Sequence, residues 1–374
     1  MFEARIAVLA DVISQRSGAR APIRFAQGFQ KLGYEVHYFA QNVNVDQDLH
    51  KDLVGRGIKV HLVLNKFPFL GRIIMAFQTY RELVSGGYDL IFLQSAQIHN
   101  MVYLFVNIPK LRTYYGTQLD LGLDKRKEIW SFIPQSWLKS YITFREGFGL
   151  RSATKVLSIS RYLVREAKKL YGLSLDNVYL GVDNMKTALK KDNSKDKTVR
   201  VISVSRIVPY KGFHTLIETF IKVNQKFPDM RLDIIGSSPI QAYLDYLNSI
   251  KNQNVHIHVN ITDQELAEYY NQADIYATCD TWVPWSLTPL EASFFSLPLL
   301  GMDYGAMNEI IVNKKTGLLA KNQKELEQNL VALTENKTLR KTLGKGAKSE
   351  VTKFTWAKTC EEYSKVIDSM VKKS

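Results

Sequence analysis

The chain has 374 residues, 45% hydrophobic and 23% charged, an ordinary globular composition that is long enough for two cored domains. Lys and Arg outnumber Asp and Glu by 50 to 36, a formal net charge of +14, so anionic partners are expected: nucleic acid, anionic lipid or a diphosphate. Two cysteines, Cys279 and Cys360, exclude a disulfide framework and a zinc-ligand set, and no apolar run approaches the roughly 18 to 20 residues of a membrane span.

The amino terminus, MFEARIAVLADV, sets Glu3 and Arg5 before a strand-like run and lacks the layout of a secretory signal, so a cytoplasmic protein is expected, soluble or peripheral at the inner face of a membrane. Apolar runs then alternate with helical patterns. Arg5–Ala10, Glu35–Ala40, Lys59–Leu64, Asp89–Gln94, Lys155–Ser160 and Asn177–Gly181 read as strands of a doubly wound α/β domain. Within the front half, residues 1 to 184, about 24 Lys and Arg face about 15 Asp and Glu, over half of the whole excess. Two stretches there mix aromatic and basic residues: Phe67, Phe69 and Phe77 beside Lys66 and Arg72, and Trp130, Phe132 and Trp137 beside Lys125, Arg126, Lys127 and Lys139. Each reads as core packing with a charged edge, as an interfacial anchor, or as a groove for an amphiphilic acceptor, and an anionic membrane surface joins the expected partners.

Residues 184 to 197, NMKTALKKDNSKDK, lose apolar periodicity and read as an exposed connector. A second strand series follows: the run from Val199, then Arg231–Ile235, Val255–Val259, Ile275–Cys279, Leu299–Gly301 and Gly317–Ala320. The expected organisation is a Rossmann-like domain at 1–183, a linker at 184–198, a second Rossmann-like domain at 199–355 and a terminal helix within 356–374. Three helix starts are punctuated: Ser238-Pro239 as N-cap and first helical residue, Thr262 with Glu265 as a capping box, and Thr288-Pro289-Leu290-Glu291 as another.

The stretch VSRIVPYKGF, residues 204 to 213, carries the most chemistry. Val201, Ile202 and Val204 form a buried strand, and Leu216, Ile217, Phe220 and Ile221 recur at helical spacing. Arg206 and Lys211 therefore sit in the connecting loop, at the carboxyl rim where ligands bind in open α/β sheets. Two cations there suit a diphosphate, and a solvated surface pair is the bland alternative. A nucleic-acid reading rests on charge alone, because no recognition-helix or aromatic-platform pattern accompanies it.

Taken together, SRIVPYKGF, LDIIGSSP with Gly236, LAEYYNQADIYATC with Asp274, the run SLTPLEA ending at Glu291, YGAMNEII with Glu309 and KTGLLA with Gly317 resemble glycosyltransferase family 4, retaining enzymes of the GT-B fold with two Rossmann-like domains facing each other across a cleft. The resemblance implies donor-diphosphate binding by Arg206 and Lys211 and a catalytic role for both. It gives Glu291 the ribose hydroxyls, against its capping reading, and gives the backbone of Ser286, Leu287 and Thr288 the distal phosphate, with Gly236 nearby. Gly18, in the segment DVISQRSGARAPIRFAQGF, matches the family's glycine loop, with Pro22 suited to a first helical position and Arg16, Arg20 and Arg24 facing an anionic acceptor or lipid. Ser160, Leu180 and Asp183 are taken as structural, and the helix from Trp356 to Val371 as one that packs back on the front domain.

Two positions depart from the family pattern. The first of two family glutamates falls at Val283, which cannot accept a hydrogen bond from a sugar hydroxyl; Asp280, three residues earlier, reads either as its substitute if the loop bends or, in preference, as an exposed turn residue. In RTYYGTQLD, Tyr115 stands where the family has histidine, and a neutral tyrosine positions and polarises rather than acting as base. The implied activity is hexose transfer from a UDP- or GDP-sugar to a glycan or lipid-linked acceptor, with no metal and no other cofactor; a glycosyltransferase-like binding or scaffold protein that has lost its chemistry is the alternative.

Overall fold

The computed structural model describes residues 4–14, 17–42, 45–63, 70–94, 103–117, 135–183 and 198–372. The connector at 184–197 and the leading parts of the two aromatic-basic stretches, 66–69 and 125–134, lie outside them, as does Arg16. The chain divides into two compact units. One comprises Met1–Ile159, Leu163–Gly181 and Trp356–Ser374; the other comprises Ser160–Tyr162 and Val182–Thr355.

The first unit holds β1 (Arg5–Leu9), α1 (Ser17–Lys31), β2 (Glu35–Gln41), α2 (Gln47–Gly55), β3 (Lys59–Val63), α3 (Leu70–Ser85), β4 (Leu90–Leu93), β5 (Lys110–Tyr114), α4 (Gln135–Arg151), β6 (Lys155–Ser158), α5 (Arg161–Tyr171) and β7 (Asp176–Asn177). Among the described residues its sheet is parallel throughout, in the order β3-β2-β1-β4-β5-β6-β7. Burial on both faces explains the nearly continuous apolar run of β4, Leu-Ile-Phe-Leu, which is buried at every position. The short β7 lies at the start of the predicted Asn177–Gly181 strand, and β5 extends the list of runs that alternation alone suggests: its Lys-Leu-Arg-Thr-Tyr order leaves Leu111 as its one aliphatic residue.

One face of this sheet packs against α1. Phe25 and Phe29 stack edge-on to Phe92, with ring centroids 5.0 and 5.2 Å apart. The last helix, here numbered α13 (Trp356–Val371), closes over α1. Tyr363 lies 4.6 Å from Phe25, Trp356 lies 5.6 Å from it, and a side chain at Gly28 would collide with Cys360. The opposite face carries α3 and α4. Leu83 of α3 joins Ala7, Leu9, Ile91, Leu93 and Tyr103 in one cluster, and Tyr103 reaches Ser152, just past the end of α4, at 3.1 Å. Pro22 is an interior residue of α1, whose first residue is Ser17, so it occupies a later turn than the first helical position; lacking an N–H, it leaves the Gly18 carbonyl without its helical donor.

The second unit repeats the scheme with β8 (Val199–Val204), α6 (Phe213–Asn224), β9 (Met230–Gly236), α7 (Gln241–Ile250), β10 (Val255–Val259), α8 (Asp263–Gln272), β11 (Ile275–Thr278), α9 (Thr288–Phe294), β12 (Leu299–Met302), α10 (Met307–Ile310), β13 (Gly317–Ala320), α11 (Gln323–Glu335) and α12 (Lys337–Val351). Its parallel sheet runs β10-β9-β8-β11-β12-β13. Strand order reverses between β8 and β11, which places a topological switch point at the carboxyl edge, the rim where ligands bind in open α/β sheets.

Two of the three expected helix starts differ. The Thr262–Glu265 capping box forms, with Thr262 Oγ1 accepting from the Glu265 amide and the Glu265 carboxylate accepting from the Thr262 amide. The helix after Ser238-Pro239 begins only at Gln241, with Ile240 as its cap. At α9 the cap is Leu287, not Thr288, because the Thr288 hydroxyl is held by the Tyr276 hydroxyl at 2.7 Å and the first helical bond runs from the Glu291 amide to the Leu287 carbonyl.

Candidate active site

The β8/β11 switch point is held by backbone contacts that admit only glycine. After β8 the chain makes one 3₁₀ turn, Pro209–Lys211, and then Gly212 adopts φ +64 to start α6. A Cβ there would meet the Cys279 carbonyl at the end of β11, so the loop is pressed directly onto its neighbour. Thr281 completes the junction by donating its amide and its hydroxyl to the Tyr210 carbonyl, at 2.9 and 3.1 Å. Gly236 does the same service at the end of β9: a side chain there would strike the Ser205 carbonyl, and Ile207 donates to the Ser237 carbonyl at 2.8 Å. Its structural task is to seat the loop that carries Arg206.

These contacts bring Arg206 and Lys211 to a common aromatic ring. Arg206 is exposed and donates from Nη2 to the Tyr210 hydroxyl at 2.7 Å; the Lys211 ammonium lies 5.6 Å from the centre of the Tyr210 ring. Burial pushes the Tyr210 hydroxyl above its usual range, so it stays protonated while it accepts from the guanidinium. Trp282 packs edge-on against the same ring at 5.7 Å. Lys211 is ion-paired with Asp280, whose other oxygen accepts from Thr278 Oγ1 at 2.7 Å. The expectation of Asp280 as an exposed turn residue is therefore overturned. It is 2% exposed, because the ammonium and the threonine hydroxyl satisfy both oxygens inside the loop junction.

The segment after Asp280 lines the same end of β11. Ser286 is buried, and Trp285 packs on Phe354 at 5.5 Å. Glu291 is 7% exposed and accepts from the Tyr270 hydroxyl at 3.4 Å. Burial raises the Tyr276 hydroxyl well above its ordinary value, with the charges of Asp280 and Glu291 adding to the effect, so the phenol between the two carboxylates is neutral. Val283 is 1% exposed; its carbonyl accepts from the Ala306 amide at 2.8 Å and rests against Gly305 at φ +59. It is a packing residue of the loop.

Arg206, Lys211, Gly236, Ser286, Leu287, Thr288 and Glu291 thus share the carboxyl edge of the second unit's sheet, while Gly18 and Tyr115 belong to the first unit. Gly18 lies in the opening turn of α1 rather than in the loop before it. Tyr115 follows β5 and donates to Gln94 Oε1; Gln94 donates onward to Thr113 Oγ1 at 2.8 Å, and Thr113 meets the Tyr363 hydroxyl at 3.1 Å. Burial pushes the Tyr115 hydroxyl well above its ordinary value, which removes it as a base and keeps it as a donor. Tyr210 and the buried state of Asp280 are new from the structure. An aromatic residue between two cations in RIVPYKG was the available signal for the first.

Two family models match consecutive parts of the chain: Glycosyltransferase Family 4 over residues 19–184 and Glycosyl transferases group 1 over residues 184–350. The chain belongs to glycosyltransferase family 4. Among family members it is 29% identical over 178 residues to an alpha-monoglucosyldiacylglycerol synthase of Acholeplasma laidlawii, a match covering 46% of this chain and 45% of that enzyme. It is 22% identical over 334 residues to an uncharacterized glycosyltransferase of Methanocaldococcus jannaschii, covering 86% and 88% of the two chains. The chain spans about half the length of most of the curated relatives it matches. Solved structures give the fold: Anabaena HepE in complex with UDP and glucose (16% identity, TM-score 0.76, 98% and 100% of the chains) and a sucrose-phosphate synthase of Thermosynechococcus elongatus (16%, TM-score 0.79, 100% of both). This family-4 chain is built of two parallel-sheet α/β units with the fold of the GT-B class.

Proposed function

We propose that this glycosyltransferase transfers a hexose, with retention of anomeric configuration, from a UDP- or GDP-sugar to a glycan or lipid-linked acceptor at an anionic membrane surface on the cytoplasmic side. The observation that carries the donor reading is the convergence of Arg206 and Lys211 on Tyr210 and Asp280 at the β8/β11 switch point. Negative charge grows on the departing diphosphate as the glycosidic bond breaks. Fixed cations held by their own hydrogen bonds stabilise that charge without reorganising, and such preorganised electrostatics commonly dominates catalysis. Lys211 and Arg206 take the task that a divalent ion performs in other transferases, and Glu291 accepts from the ribose hydroxyls. In the first unit, Tyr115, neutral and with its own proton given to Gln94, orients the sugar by accepting from a hydroxyl, and the leaving phosphate removes the acceptor proton. HepE, a structural neighbour, was solved with UDP and glucose, and the name of the Acholeplasma relative describes a glucosylated diacylglycerol; both agree with a nucleotide-sugar donor and a lipid acceptor.

The buried Val283 favours a second reading, a donor-binding protein without turnover, because no carboxylate stands at that position to meet the sugar. Incubation with UDP- and GDP-hexoses, with nucleotide release and the anomeric configuration of the product followed by NMR, separates the two. Release with a retained product supports the transferase; tight nucleotide binding with no release from any donor supports the second reading.

A further inference from the structure

Among the described residues, every phenylalanine or tryptophan with a strongly exposed side chain belongs to the first unit: Phe77, Phe105, Trp137, Phe144 and Phe148. Three of these lie on α4 and form a stripe with Tyr141. Residues 137, 141, 144 and 148 follow the i, i+4, i+7, i+11 spacing of one helical face, and they are 73, 56, 73 and 45% exposed. The opposite face buries Ile142 and Leu150. The stripe is therefore a second apolar face on a helix whose core-facing residues are already in place.

The charges on α4 are sorted in the same way. Its one acidic residue, Glu146, is turned inward, accepting from the hydroxyls of Thr117 at 2.7 Å and Tyr171 at 2.6 Å. Arg145 borders the stripe, its guanidinium 5.9 Å from the Tyr141 ring centre, whereas Lys139, about 200° round the helix from Trp137, is exposed on the other flank. On the same face of the sheet, α3 exposes Phe77, Tyr80 and Val84 at i, i+3 and i+7. Aromatic residues beside a guanidinium, with the one carboxylate of α4 turned inward, match the headgroup region of a bilayer, where tryptophan and tyrosine settle at the boundary and arginine meets phosphate; the exposed Glu82 of α3 lies outside this stripe. A second copy of the chain fits poorly. A twofold contact through this stripe sets like charges together, and 11 residues of helix span only about 16 Å, narrow for the roughly 800 Å² per partner of a stable dimer.

We infer that the aromatic stripe of α4, Trp137, Tyr141, Phe144 and Phe148 with Arg145, is the surface by which the first unit docks on an anionic lipid bilayer. This builds on the membrane partner proposed above and on none of the donor-site assignments.

The test is co-sedimentation of the full chain with vesicles of phosphatidylcholine alone and of an equimolar mixture with phosphatidylglycerol. Two variants accompany the wild type: Trp137→Ser with Phe144→Ser, and Arg145→Glu. The expected result is binding to the anionic vesicles only. It weakens about tenfold or more in either variant, and for the wild type it falls steeply with salt, as Debye screening over about 10 Å requires. Melting of the serine variant stays at the wild-type value because both side chains project into water. The rise in melting temperature on adding UDP or GDP stays unchanged in both variants, so failure of docking and failure of the donor reading register separately. Wild type that ignores anionic vesicles at low salt, equal binding to both vesicle types, or variants that bind like the wild type would each overturn the inference. A concentration-dependent dimer abolished by the serine variant would reassign the stripe to a second copy.

Discussion

The ammonium of Lys211 is closed onto the carboxylate of Asp280, a residue 69 positions away and almost wholly buried where β11 ends. The pair joins the loops that follow β8 and β11, so the cation assigned to the diphosphate is held in position before any donor arrives.

Asp280→Asn keeps the shape and the Thr278 contact but removes the countercharge. Leaving a nearly buried ammonium unpaired costs about 3 kcal/mol, at the lower end for a broken buried pair because Lys211 retains 13% exposure. The expected kinetic signature is a kcat lowered about tenfold or more with a donor KM that does not rise, since the diphosphate then faces one anion fewer. Denaturant unfolding and steady-state kinetics read the two effects. A KM increase with unchanged kcat contradicts this role.

Tyr210→Phe retains the ring beneath Lys211 and deletes the hydroxyl that anchors Arg206. A hydrogen bond to a charged group contributes about 1.5 to 3 kcal/mol, less at an exposed guanidinium, so kcat/KM is expected to fall about 3- to 10-fold with melting within a few degrees of wild type. Activity equal to wild type removes Tyr210 from the site.

Gly212→Ala is expected to fail in folding as well as in function. The substitution adds about 1 kcal/mol or more for left-handed backbone and forces the loop off the Cys279 carbonyl. Thermal melting falls and activity falls with it, and a variant with native melting contradicts the loop geometry.

Much of this architecture is legible in the sequence because it is local. Buried parallel strands announce themselves as apolar runs, and the Thr262–Glu265 box forms as its spacing predicts. Thr288 and Glu291 have the same spacing, yet their box is absent because Tyr276, twelve residues earlier, takes the threonine hydroxyl. The burial of Asp280 escapes a linear reading for the same reason: only the sheet order brings Lys211 beside it. Pairing across the switch point decides the site, and no window of sequence contains it.

Acid should weaken the first unit in two stages. Burial lowers the pKa of His37 and His61 below the usual 6.5, so the unfolded chain takes up protons there first and stability falls as pH drops below that value. Hydrogen bonds from Lys59, His37 and Arg5 hold Glu35 at about 2 instead of 4.5; its contribution is complete above 4.5 and is lost as pH falls towards 2. Denaturation midpoints measured from pH 7 to pH 3 test this, with Glu35→Gln expected to flatten the lower stage. An unaltered profile in that variant removes Glu35 as its source.

The central claim is that protein cations grip the donor diphosphate, and calorimetric titration of UDP and GDP into wild type and Lys211→Ala, both in chelator, tests it most directly. The account predicts that at least one nucleotide binds the wild type without metal and binds the variant about a hundredfold more weakly, the scale of losing one preorganised charge contact. Equal affinity in the two proteins, or binding that appears only when Mg²⁺ or Mn²⁺ is restored, would contradict it.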